Sequence, residues 1–375
     1  MRRKDAIPAV ALVALCVAMW FIPPVRPLAD DGGTPLRARV VSVDDSAITL
    51  TGLIEYGTQN LEVEILDGDA SGKRFRASNE LRAQLELDKK FRAGDIAMVT
   101  WPAGGAKGGE VLVARDHWRL GWAALLFGAF CLLLVLFGGW TGAKALFSFV
   151  FSCFAVWKLL IPLCLGGWNP TFVSFVTVSA LTAVIMYLVA GFTRRGVGAF
   201  LGAMLGVLSS LALAVFFTKV MHVTGATMPF AQSLMYSGYS DLNLADIFSG
   251  AVILASSGAL MDLAMDIAAG VDEVAWHNPR LSFRELFLSG LRIGRSVVGT
   301  MTTTLLLAYS GGYLTLLMVF AAQGTPPVAF LNSTLVSAEM VKTLVGSFGL
   351  VLVAPFTALV AAALARHCFR GTRPD

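Results

Sequence analysis

The chain has 375 residues, of which 56% are hydrophobic and only 14% charged. Soluble domains carry about 25% charged residues, so this composition excludes an ordinary soluble globular protein and points to a bilayer-embedded one. The net charge of +4 is small, and the cations border apolar runs, which speaks for orientation in a membrane rather than for binding nucleic acid.

The first apolar run, 6–22, follows Arg2, Arg3 and Lys4 and is ended by Pro23-Pro24. It reads as an uncleaved transmembrane anchor over 1–23, with a cleaved signal peptide as the alternative. Residues 24–117 then read as a β-rich domain. Leu36 to Val43 and Gln59 to Leu66 alternate apolar and polar residues, Asp95 to Trp101 supplies another strand, and Asp44-Asp45, Asp67-Gly68 and Gly104-Gly105 signal turns. About five short strands in this length predict a small OB-like barrel. Residues 26–117 hold 12 Lys/Arg against 15 Asp/Glu, a net of −3, which argues against nucleic acid as its ligand. No cysteine falls in 24–117, so the domain has no disulfide to rely on.

Further runs of spanning length occur at 119–139, 143–165, 171–191, 197–220, 245–269, 296–320 and 341–365. They make 118–366 a seven-helix transmembrane domain, followed by a tail at 367–375. With the first run the count is eight. Arg2-Arg3-Lys4, Lys144, Arg194-Arg195, the group Arg280, Arg284, Arg292 and Arg295, and the group Arg366, Arg370 and Arg373 then share one side. Positive-inside logic puts both termini in the cytoplasm and 24–117 outside. The fold class expected is a mainly α-helical polytopic membrane protein with an N-terminal exported β-barrel.

The 245–269 run contains two carboxylates, Asp262 and Asp266. An ionised Asp near the middle of a membrane helix costs about 3 kcal/mol on insertion scales, so it marks either a functional site or a buried pair. At helical spacing Ala251, Ala255, Gly258, Asp262, Asp266, Ala269 and Glu273 share a face. Small residues admit a neighbouring helix, so this face is expected to point into protein or a wet cavity rather than lipid. Asp266 can alternatively reach water at the helix end. Ser296, Thr300, Thr303 and Ser310 form a hydroxyl stripe that either bonds back to its own helix or lines a path facing Asp262. Lys158 is a further intramembrane charge, one turn before Pro162, which must break or kink its span. Gly198, Gly202 and Gly206, at four-residue spacing, predict a helix-packing ridge, and Gly258 is a further packing candidate. The stretch Asn278 to Leu291 reads as an amphipathic helix on the inner membrane surface.

Other signatures are missing. There is no P-loop lysine motif, no G-x-S-x-G elbow and no zinc-protease helix motif, so no enzyme activity is expected and no cofactor is implied. The four histidines and five cysteines are scattered, which disfavours a zinc site and leaves any metal unassigned.

Several short motifs, in order, carry a family resemblance over about 37–365. They are Gly94-Asp95, Gly138-Gly139-Trp140, Gly258 through Met261-Asp262 with Ala264-Met265, and Asn278-Pro279 leading to Glu285-Leu286-Phe287-Leu288-Ser289-Gly290. Gly294-Arg295, Gly299-Thr300-Met301-Thr302, Glu339, Gly346-Ser347, Pro355 and Thr357-Ala358 complete the set. On these the chain resembles the YibE/F-like family of bacterial multi-spanning membrane proteins. The resemblance implies a cytoplasmic-membrane location and a multi-pass fold, and a permease as one suggested activity. The chain departs from the pattern at Ser296, where an acidic residue is common, at Thr303, where Asn is common, and at Asp266. The resemblance therefore supports Asp262 more than those three.

The reading that follows is a permease or ion-coupled transporter. Its transport-site candidates are Asp262, Asp266, Thr300, Thr303, Ser296 and Lys158, and its partners are the lipid bilayer and an unidentified ion or small solute. The alternative is a non-transporting scaffold or envelope-assembly factor, in which 24–117 recruits an envelope protein and the Asp pair holds helices together.

Overall fold

The computed structural model describes residues 33–102, 104–105 and 110–369. The run at 6–22, and with it the anchor expected over 1–23, lies outside the described residues. What is described divides into two compact units, one reaching to Leu133 and one starting at Leu134.

The first unit is built on six strands: β1 (Thr34–Asp44), β2 (Ile48–Thr51), β3 (Ile54–Ile65), β4 (Arg74–Arg82), β5 (Ile96–Trp101) and β6 (Val111–His117). Strand β1 pairs with both β3 and β5, and the order β1-β3-β4-β6-β5-β1 closes a five-stranded ring. Only β4 and β6 run parallel. This is OB-type connectivity, so the expected small barrel is present. Strand β2, not foreseen as a separate strand, extends the line of β1 along β3 and ends in a two-residue turn. Gly52 supplies the positive φ (67°) that such a turn needs at its first position.

Alternate residues of each strand point inward, and Val40, Val63, Ile65, Val99 and Leu112 form the core. Phe91, from the long β4–β5 connection, plugs one end of that core. Two fully buried amides hold this connection down. Gln59 donates to Asp45 (2.8 Å) and to the Phe91 carbonyl (3.1 Å) and accepts from the Phe91 amide (2.9 Å), while Asn79 donates to the Lys89 carbonyl (2.6 Å). At the other end Arg37 forks onto Asp67. Arg37, through the hydrogen bonds of its guanidinium and then that of its backbone amide, holds the Asp67 carboxyl below the usual carboxylate range.

The second unit is helical. The expected spans at 119–139 and 143–165 fall within one 46-residue apolar stretch, Leu120–Leu165, which is interrupted at Gly139, where the two expected runs divide. Its main part is α1 (Leu120–Ala155), sharply kinked at Gly139, whose φ of 52° and ψ of −129° are not helical. Gly142 lies against the Leu134 carbonyl, where no side chain would fit. A π-helical turn, Val156–Leu160, follows, and then α2 (Ile161–Leu165). The wide turn sits just ahead of Pro162, whose ring would clash with the carbonyl four residues back in a regular helix.

Next come α3 (Pro170–Ala190), α4 (Arg194–Val220), the short α5 (Ala231–Tyr236) and α6 (Leu244–His277). They are followed by α7 (Phe283–Gly312), α8 (Leu314–Ala322), α9 (Pro327–Asn332) and α10 (Thr334–Phe369). Helices α7 and α8 meet at a bend of 66°. Among the described residues five helices are long and apolar enough to cross a membrane, or six if the bent pair is one span. The expected amphipathic surface helix over 278–291 is corrected. From Phe283 onward that segment is the first third of α7, with Leu286 and Gly290 buried, because Gly290 is small enough to sit against Ala358 and Val271.

Helix α6 is the centre of the bundle and packs on α3, α4, α7 and α10. Its start is tied to that of α3. Asn169 caps α3 through the Phe172 amide and donates to Asp246 (3.0 Å), which also accepts from Thr171 and Asn243. Glycines set the other close approaches. Gly198 faces Ala361, Gly202 faces Thr357 and Gly206 faces Val353, so α4 runs antiparallel to α10 along this ridge.

Candidate functional site

The packing order locates the open side of α6. Helix α3 packs on α4, α4 on α10, and α10 on α7, so these four enclose α6 except between α7 and α3. The enclosed faces of α6 are apolar and buried: Leu260, Leu263, Ala264, Ile267, Ala268 and Val271 have essentially no exposure. The remaining face carries Ala251, Ala255, Gly258, Asp262, Asp266 and Glu273, all exposed, with Ala269 half-buried. Among the described residues, the face expected to receive a neighbouring helix is therefore open, and none of them comes within 4 Å of a side-chain position at Gly258.

Both carboxylates project from this strip. Among the described residues neither Asp262 nor Asp266 has a hydrogen-bond or ion-pair partner. Ile267 packs on Gly294 and Gly270 on Ile293, which puts Asp266 at the depth of Arg292 and Arg295 on α7. Asp262 lies about 6 Å further along the axis, away from the arginines. Arg292, Arg295, Ser296, Gly299, Thr300 and Thr303 are exposed on α7, which borders the opening. Each hydroxyl of the stripe is held by its own helix: Ser296 donates to the Ile293 carbonyl (2.7 Å), Thr300 to Val297 (2.9 Å) and Thr303 to Gly299 (3.2 Å). Their oxygen lone pairs remain available as acceptors. Ser310 is further along, 3.3 Å from the Tyr313 hydroxyl.

Lys158 is not part of this arrangement. It is half-buried in the π turn, a segment in contact with α2 and α3. Among the described residues, no three His, Cys, Asp or Glu side chains come together in a way that could hold a metal ion.

Sequence reasoning missed a second polar cluster, at the opposite end of the bundle from the arginines. Glu339 and Lys342 form a 2.7 Å ion pair on α10, each side chain less than a quarter exposed. The Lys342 ammonium stands 5.8 Å from the centre of the Phe248 ring on α6, a cation–π distance. Gly346, one turn on, makes room for Ser256 of α6 and Tyr309 of α7. The Tyr309 and Thr343 hydroxyls are buried there without a hydrogen-bond partner among the described residues. The i, i+3 spacing of Glu339 and Lys342 at the head of the last apolar run was the available signal.

The family model described as YibE/F-like protein matches residues 126–367. The chain belongs to the YibE/F-like family. The matched region takes in the whole α3–α10 bundle, with Asp262, the hydroxyl stripe and the Glu339–Lys342 pair, and leaves out the barrel. No curated protein and no solved structure matches the chain. Membership and the apolar helices together mark a membrane protein.

Proposed function

We propose that this YibE/F-like protein is a multi-pass permease of the bacterial cytoplasmic membrane, in which Asp262 is a proton- or cation-exchanging carboxylate, and that it is not an enzyme. One observation carries the reading. Among the described residues, Asp262 sits unpaired on the one open face of an otherwise enclosed helix, where a carboxylate whose task was to clasp helices together would have a partner. An unpaired charge at that depth is tolerable where water reaches it, so the opening between α7 and α3 is read as a wet crevice. Asp266, level with Arg292 and Arg295, then serves as the exit group nearer the arginine end. Ser296, Thr300 and Thr303 offer neutral oxygens beside the path.

The bundle's charge distribution supports an orientation. The contacts of Gly198, Gly290 and Gly294 with α10 bring Arg194, Arg195, Arg280, Arg284 and Arg366 to one end. Positive-inside logic makes that end cytoplasmic, both termini with it, and the barrel external. The 46-residue stretch Leu120–Leu165 would be about 69 Å long as a straight helix, over twice the hydrocarbon thickness. Broken at Gly139 it supplies two crossings, which makes seven in 118–366 and eight with the run at 6–22.

The test is Asp262→Asn in proteoliposomes, with proton and monovalent-cation flux read by entrapped dyes and a melt taken on the same preparation. Because the wild-type carboxylate has no partner among the described residues, the melt should stay within about 0.5 kcal/mol of the parent while flux is lost. Asp266→Asn should only reduce flux. Wild-type flux that survives Asp262→Asn would refute the proposal. So would a marked fall in stability without a specific loss of flux, which is the outcome the scaffold reading requires.

A further inference from the structure

The barrel exposes more large apolar side chains at one of its ends than a solvated domain needs. Leu53, at the tip of the β2–β3 hairpin, is 93% exposed, Leu85 in the β4–β5 connection 79% and Leu50 65%, with Ile54, Leu87 and Ile96 also open. Strand directions show that they belong together. Strands β1, β4 and β6 end, and β3 and β5 begin, on the same side of the ring, because β4 and β6 are parallel and the other pairings antiparallel. The hairpin tip, the β4–β5 connection and the exit from β6 are therefore all at one end. The connections at the opposite end, 66–73 and 102–110, have no exposed large apolar side chain among their described residues. Of the barrel's other exposed large apolar groups, Val111 opens β6 at the opposite end, and Val113 and Tyr56 lie within strands.

The chain leaves this same leucine-bearing end to enter its apolar helix. His117 closes β6 and Leu120 opens α1, so the two are at most about 10 Å apart. Trp118 and Trp122 flank that junction, the residue type that favours the headgroup level of a bilayer. A barrel tethered this closely by its leucine-bearing end cannot hold those side chains far from the surface that α1 enters.

We propose that the hairpin tip and the β4–β5 connection are a membrane-docking surface, with Leu50, Leu53 and Leu85 inserted at the boundary between headgroups and acyl chains of the bilayer crossed by α1. Charge is not the basis of the contact. The same end carries Lys89, Arg92 and Arg119 but also Asp44, Asp45, Glu86 and Asp88, and Lys90 is already bridged to Asp45 and Glu55. Apolar burial is the driving force, so docking takes place on uncharged zwitterionic lipid and withstands salt. The barrel is thereby held against the bilayer surface instead of swinging on its linker. The inference rests on α1 entering a bilayer and is independent of transport.

The experiment uses the full chain in phosphatidylcholine nanodiscs, with its native cysteines replaced and a single cysteine at 53, 85, 69 or 126 carrying an environment-sensitive fluorophore. Labels at 53 and 85 should shift to the blue and be quenched by lipids bearing a nitroxide just below the headgroup, at low and high salt alike. The label at 69, at the other end of the barrel, should do neither, and Leu53→Asp should abolish quenching at 85. Labels at 53 and 85 that behave like the one at 69 overturn the proposal. A blue shift without lipid quenching also overturns it, because a second copy or another protein is then the occupant. Quenching at 126 by nitroxides deep in the acyl region reports the insertion of α1 itself, so failure of the membrane reading is told apart from failure of docking.

Discussion

Adding a single methyl group at Gly202 probes the α4–α10 contact more sharply than any larger change. A Cβ on Gly202 would meet the Thr357 hydroxyl and stand 2.7 Å from both the Cα and Cβ of Thr357, where ordinary contact begins near 3.4 Å. The obstacle is backbone, so no rotamer change relieves it and the helices must part locally by roughly 0.7 Å or more. Overpacking of this kind costs about 1–3 kcal/mol, against which alanine returns about 1 kcal/mol as the better helix former. A net loss of up to about 2 kcal/mol is expected. At Gly198 the nearest atom, the Ala361 Cα, is at 3.5 Å, so Gly198→Ala should be neutral or stabilising by up to about 1 kcal/mol. Gly206, at 3.0 Å from the Val353 side chain, should fall between the two. Thermal unfolding of the three variants in one detergent, followed by helical circular dichroism, gives the order directly. A Gly202→Ala protein as stable as the parent, or a Gly198→Ala protein less stable than Gly202→Ala, would refute the close-contact argument.

Gln59→Leu should cost about 2–4 kcal/mol of barrel stability, because it strands the buried Phe91 amide and carbonyl, and exchange of the Phe91 amide should quicken selectively. The Arg37–Asp67 fork lowers the folded carboxyl pKa, so its stabilisation is complete above the unfolded Asp value near 3.9 and is lost as pH falls through the lower folded value. Asp67→Asn should therefore lower the melting temperature at about pH 7 and make progressively less difference as pH falls below about 3.9, and an effect that stayed constant with pH would rule the linkage out. Lys342→Met leaves Glu339 less than a quarter exposed and unpaired and should destabilise more than the double change Glu339→Gln with Lys342→Met, a comparison that thermal melts of both variants settle. A fragment of residues 33–119 should fold without metal or disulfide, since the ring closes and has its own core, and a cooperative β-type melt checks it.

Much of the fold was legible because its signals are local. Period-two alternation in 36–43 and 59–66 marked β1 and β3, and apolar runs bounded by arginines marked α3, α4, α6 and α10. The glycine spacing at 198, 202 and 206 foretold a ridge but not its partner, which long-range packing alone reveals as α10. The gap between the runs at 119–139 and 143–165 foretold an interruption, and Gly139 is the residue at which the backbone leaves helical geometry. The surface-helix reading of 278–291 failed because an amphipathic pattern does not say whether its apolar side meets lipid or, as here, Val271 and Ala358.

Composition and the order of apolar runs by themselves determined that this is a helical membrane protein with a β domain, since transfer free energy and helical period act residue by residue. They also singled out Asp262, because a charge in such a run is costly wherever it points. Only the tertiary structure decided that the face shared by Asp262 and Asp266 is the one left unenclosed among the described residues, and that Glu339, Lys342, Phe248 and Tyr309 come together across three helices. Which face of a helix is covered depends on neighbours distant in sequence, and those neighbours are chosen by how side chains and glycine gaps fit, a property of pairs of segments that neither segment carries alone.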